Sequence, residues 1–206
     1  GGVSSPSDPI HFLGFSRDEL IAAVEEAGNA GTYVAAHLYT DQAILRAVEC
    51  GIHSLEHCNL ISSETATLAA KNGCIACPTL ITYDKLKSEG PSLGLPPASI
   101  AKVDDVRLRG LESLSIMQDA GLPMAYGSDL LGGMQPHQSG EFELRGQVLK
   151  RQTVIQSTTL IAAKLLRMEG LIGSLQPGAF ADVILLDRNP LEDLSVLSGQ
   201  GEGITM

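Results

Sequence analysis

Tyr33-Val34-Ala35-Ala36-His37 and Gly51-Ile52-His53-Ser54-Leu55-Glu56-His57 are two short, mainly apolar runs, each ending in histidine. Both are too short for a helix, carry β-branched or aromatic residues and are bounded by turn formers, so both read as buried strands. Between them, Thr40 caps a helix expected through Glu49, with Gly51 as its stop. Strand, helix and strand in that order predict parallel pairing through a right-handed crossover.

The same alternation extends in both directions. Upstream, Ser16-Arg17-Asp18-Glu19 is a capping box, and Leu20, Ile21, Val24 and Ala27 follow at helical spacing until Gly28 to Gly31. Downstream, Ser62 or Ser63 opens a helix that stops near Asn72-Gly73, and Cys74 to Cys77 forms a third strand. Gly, Pro and Ser accumulate from Tyr83 to Pro97, which predicts a long loop and a candidate substrate lid. A helix over Ala98 to Ala120 then leads to Met124-Ala125-Tyr126, a fourth strand, and Gly127-Ser128-Asp129. Gly132 to Gly140 reads as a second mobile segment, and Glu141 to Lys150 and Thr153 to Met168 as helices. Past Gly170 the period changes. Gly173-Ser174-Leu175, a turn at Gln176-Pro177-Gly178, and Ala181 to Leu186 predict a β-hairpin. The expected organisation is an α/β body over 1–170 and a small β-appendage over 171–206.

Repeated strand-helix units leave two architectures, an open doubly wound sheet or a closed barrel. No glycine fingerprint for phosphates follows any strand, whereas polar residues do sit at strand C-terminal ends, where barrel enzymes build their sites. A barrel is therefore expected.

Composition narrows the function classes. The chain has 206 residues, 14 basic and 24 acidic, and a net charge of -10. That field repels phosphate backbones and anionic lipid, so neither nucleic acid nor a membrane surface is an expected partner. No apolar run approaches the ~20 residues of a membrane span, and no secretory signal pattern opens the sequence. Four cysteines in 206 residues are sparse, which suits a reduced, cytoplasmic setting. Cys74 and Cys77 have the spacing of a zinc or redox pair, but Pro78 and Thr79 follow where a redox pair needs a helix. Thiols packed in a strand are the better reading.

His37 ends the first strand, His57 the second, and Asp129 follows the fourth, so in a barrel all three meet on one rim. Imidazole and carboxylate are the usual ligands of zinc and similar ions. Singly, each has an ordinary explanation: a core histidine, a helix-capping aspartate. Together they point to a metal site. His53, Leu55 and His57 alternate onto one face, which places His53 deeper inside as a structural histidine. Glu56 then falls on the opposite face, towards the helices.

These motifs, with Gly173-Ser174-Leu175-Gln176-Pro177-Gly178-Ala179-Phe180-Ala181-Asp182, resemble the later motifs of the amidohydrolase superfamily. The similarity is greatest to its imidazolonepropionase-like branch, which includes Xaa-Pro dipeptidases and an ochratoxin-hydrolysing amidase. The resemblance implies the C-terminal half, about strands five to eight, of a (β/α)8 barrel plus part of a β-sandwich. It implies one or two divalent metals, zinc first, with His37, His57 and Asp129 as ligands and Asp129 also as general base. It implies hydrolysis of a carbon–nitrogen bond in a small amide or dipeptide-like substrate, with Tyr83 and His137 placed for substrate contact. Arg145 reads either as a ligand for a substrate carboxylate or as a solvent-facing charge.

Two features of the family are missing from this sequence: a His-x-His pair, and a bridging lysine expected just before Gly1. By itself the chain is therefore expected to be inactive, with open strand edges that favour pairing, including homo-oligomerisation. Two alternatives follow. A non-catalytic half-barrel would bind a metal or partner without turnover, and a doubly wound binding domain would leave the three residues apart.

Overall fold

The structure, a computed structural model, describes residues 1–205. Helix α1, Arg17–Asn29, carries the expected capping box: the Glu19 N–H donates to Ser16 Oγ, and the Ser16 N–H donates to the Glu19 carboxylate at 2.8 Å. β1 spans Ala35–Thr40 and runs beyond His37, so His37 lies within the strand rather than at its end. Tyr33 and Val34 precede it, and the Val34 carbonyl accepts from the N–H groups of His53 and Ser54. α2, Asp41–Glu49, is capped by Thr40 as its sequence requires, and β2 covers Ser54–Leu60. α3, Ser63–Lys71, starts at the Ser62 cap, and β3 covers Ile75–Cys77.

The three strands are parallel and neighbour one another in chain order. Beyond β3 the Ala76 N–H donates to Pro123 O at 2.9 Å and the Ala125 N–H to Ala76 O at 2.8 Å, so the fourth segment pairs in parallel too. It makes a bridge at Met124 and no longer ladder. A doubly wound sheet reverses its strand order at a switch point. No such reversal occurs among the described residues, so this is an α/β fold with a sequentially ordered parallel sheet.

The larger of two apolar cores lies on one sheet face. Leu38 and Leu55 pack with Ile44 and Val48 of α2 and Ala66 and Ala69 of α3. Leu114 and Met117 join them from a later helix. Apolar burial of this kind, at about 25 cal/mol per Å², is the main force holding helices to sheet. Leu55 thus faces the helices, and His53, which precedes β2, is half-buried against the Tyr33 ring instead of lying deep inside. Burial and the nearby Arg167 and Lys164 lower its pKa. Glu56 corrects the expectation in the other direction. It is the register partner of His37 and accepts a hydrogen bond from the Ser54 hydroxyl, so it lies on the face away from the helices.

Residues 83–97 are not one loop. α4 occupies Leu80–Ser88, which puts Tyr83 inside a helix, and only 89–96 turn before α5, Pro97–Arg107. Thr79 gives α4 no side-chain cap; the Glu141 carboxylate does this instead, accepting the Ile81 N–H at 2.7 Å. A carboxylate at a helix start complements its exposed N–H groups and dipole. The expected long helix over 98–120 breaks at Leu108–Arg109, and α6 is Gly110–Asp119. Gly110 explains the close fit there: a Cβ at this position would lie 2.7 Å from Leu80 Cδ2.

Residues 132–137 form a 3-10 turn leading into α7, Gly140–Gly146, and the final helical stretch splits at Thr159 into α8, Arg151–Thr158, and α9, Leu160–Leu165. The hairpin expected over 173–186 does not form. Phe180 N–H donates to Leu171 O, while Leu186 bridges to Ile204 in antiparallel fashion. Val183, Ile184 and Leu185 remain exposed, because no strand among the described residues covers them. No helix among these residues is long and apolar enough to cross a membrane.

Candidate metal centre

His37 stands on the open face of β1, and Tyr39, two residues on, shares that face as strand alternation requires. His57 arrives differently. By simple alternation it would follow Leu55 to the helix side, but His57 has φ 74° and Cys58 has φ 56°. These consecutive left-handed residues interrupt the period of two and turn the His57 ring towards His37. Non-glycine residues in this region store about 1–3 kcal/mol each and need surrounding structure to hold them. Asp129 has φ 47°, so two of the four such residues among those described are candidate ligands.

His37 Nδ1 and His57 Nε2 face each other at 2.8 Å, and Asp129 Oδ2 lies 4.0 Å from His57 Nε2. Burial and the neighbouring His37 lower the His57 pKa to about 3, so its ring is neutral at physiological pH. Thr79 Oγ1 lies 2.8 Å from the other ring nitrogen, Nδ1. The Tyr39 ring stacks on His57 with centroids 4.8 Å apart, and Tyr83 stands edge-on at 6.1 Å. Asp129 is half-exposed; burial raises its pKa while His37 pulls it down. The structure therefore brings His37 and His57 into contact and Asp129 close by. No group of three or more His, Cys, Asp or Glu side chains among the described residues is close enough to hold a metal ion as arranged.

Tyr83 is buried beside this cluster, and its hydroxyl has no hydrogen-bond partner. His137 is placed elsewhere. Its Nε2 pairs with Glu89 at 3.0 Å, joining the 3-10 turn to the end of α4. Arg145 is fully buried, which excludes the solvent-facing reading, and its donors go to Glu141, Ala125 O and Pro78 O. The cysteines are all free, and burial pushes the Cys58 thiol well up and the Cys77 thiol to about 12, leaving both protonated at neutral pH.

Two residues escaped the sequence reading. Tyr39 had a signal, since alternation from His37 puts it on the same face. Thr79 had none, because its contact with His57 depends on how β3 leaves the sheet.

The sequence model of the amidohydrolase family matches residues 1–205. The chain belongs to the amidohydrolase family. Ochratoxinase from Aspergillus niger is 31% identical over 198 residues, covering 95% of this chain and 41% of the relative. A crystal structure of a prolidase complexed with N-methylphosphonate-L-proline is 47% identical, with a TM-score of 0.97 over 99% of this chain and 50% of that one. A crystal structure of another amidohydrolase reaches a TM-score of 0.98 at 51% identity, covering 99% and 49% of the two chains. This amidohydrolase chain thus spans about half the length of the relatives it matches.

Proposed function

We propose that the protein containing this chain is a metal-dependent hydrolase of carbon–nitrogen bonds, with His37, His57 and Asp129 as part of its metal centre. The observation that carries this reading is the contact of His37 Nδ1 with His57 Nε2 at 2.8 Å beside the Asp129 carboxylate. The donor chemistry fits a divalent ion, zinc first: two imidazole nitrogens, one on a ring held neutral, and a carboxylate. The buried, unpartnered Tyr83 hydroxyl fits a site that takes a further polar group. The chemistry supplied by such an ion is polarisation of the scissile carbonyl and acidification of water towards neutral pH.

The chain's own residues divide the remaining work. His57 and His37 bind. Asp129, with its pKa raised by burial, accepts a proton from the attacking water and returns it to the leaving nitrogen. Tyr83 and Tyr39 wall the site against water and offer hydroxyl donors to the substrate. The prolidase and ochratoxinase relatives support an amide or dipeptide-like substrate, with an Xaa-Pro dipeptide as the first to try. In this reading the four-stranded unit corresponds to strands five to eight of the barrel. His137, tied to Glu89, would reach substrate only if that pair opens.

The test is hydrolysis of an Xaa-Pro dipeptide panel and of N-acyl amino acids by the full-length protein before and after chelation. Activity that disappears on chelation and returns with added zinc is the expected result. Turnover unaffected by exhaustive chelation would sink the proposal.

A further inference from the structure

Thr79 is locked from both sides by one fully buried ion pair. Arg145 Nε donates to Glu141 Oε1 at 2.8 Å, its Nη2 donates to the Pro78 carbonyl at 2.5 Å, and its Nη1 donates to the Ala125 carbonyl at 3.0 Å. Glu141 Oε2 in turn accepts the Ile81 N–H. The backbone is therefore held immediately before Thr79 and two residues after it, and the fourth strand segment is held by the same guanidinium. On a further side Gly127 leaves no slack, since a Cβ there would lie 3.3 Å from Thr79 Cγ2 and 2.6 Å from Cys77 Sγ. The Thr79 hydroxyl so held lies 2.8 Å from His57 Nδ1, with the Tyr83 side chain as its other polar neighbour.

We infer that Thr79, fixed by Arg145 and Glu141, is a positioning residue that sets the His57 tautomer. His57 Nδ1–H donates to Thr79 Oγ1, which leaves Nε2 without a proton, as an acceptor facing His37 and Asp129. The His37 Nδ1–H then donates to His57 Nε2 across 2.8 Å. Which ring nitrogen can bind a metal is set by the hydrogen bond at the other, and losing such an outer partner costs about 10–100-fold in metal affinity. The relay rests on the metal reading above for its purpose, but not for its geometry.

The test uses the full-length protein labelled with 15N-histidine. Imidazole nitrogen shifts are recorded after chelator treatment, with His57 assigned through His57→Gln, and zinc affinity is measured separately by competition. Wild-type protein should show His57 protonated at Nδ1. Thr79→Val should move the proton towards Nε2 and weaken zinc binding about 10–100-fold at unchanged melting temperature, while Thr79→Ser restores both. The double variant Glu141→Leu with Arg145→Met replaces the pair by apolar side chains and should fold, yet shift the tautomer as Thr79→Val does. An unchanged tautomer in Thr79→Val overturns the inference, and an unchanged tautomer in a folded double variant removes Arg145 and Glu141 from it. Because the tautomer is read without metal, a shift in protein that never binds zinc would retain the positioning role and sink the metal reading alone.

Discussion

Asn in place of Asp129 lowers kcat of the full-length protein by about 10²–10⁴-fold, the range for losing a positioned general base. The carboxylate lies 4.0 Å from His57 Nε2 on a residue with left-handed backbone, φ 47°. Asparagine tolerates that backbone region better than most residues, so the fold should survive and the loss should fall on proton transfer. Steady-state kinetics beside a thermal melt checks this. A kcat within threefold of wild type would remove Asp129 from the chemistry.

Arg145→Ala should destabilise the protein by about 3–5 kcal/mol, because it strands Glu141 as an uncompensated buried charge. Both side chains are fully buried, and burial already pushes the Glu141 carboxyl above the usual range against the pull of Arg145 and the N–H groups at Leu80 and Ile81. Without the guanidinium that rise grows. The folded state then binds a proton the unfolded state releases, so the variant's stability falls as pH rises above the ordinary glutamate value and recovers as pH falls. Denaturant unfolding of Arg145→Ala at acid and neutral pH measures this. Equal stability at both would mean that Glu141 finds another partner.

Much of the fold was legible because its determinants are local. Ser16, Thr40 and Ser62 are caps whose partners lie three residues away, and the parallel order followed from the helices between the strands. What was missed depends on distant residues. The start of α4 is satisfied by Glu141, so residues from Tyr83 onwards looked like loop when read alone. Arg145 read equally as a substrate-carboxylate ligand or a solvent-facing charge, because its i,i+4 partner gives no hint that both are buried. His37, His57 and Asp129 stand out in the sequence as candidates from their positions near strand ends, yet the route by which His57 comes to face His37 was misread. Alternation assumes an unbroken strand, and His57 and Cys58 break it. The same assumption put Glu56 on the wrong face.

The most direct test of the metal centre is elemental mass spectrometry of the purified full-length protein beside His37→Ala and His57→Ala variants that retain wild-type circular dichroism. The account expects near-stoichiometric divalent metal in the wild type, with zinc the leading ion, and its loss in both variants. Equal metal content in all three, or catalytically active wild-type protein that holds none, would contradict it.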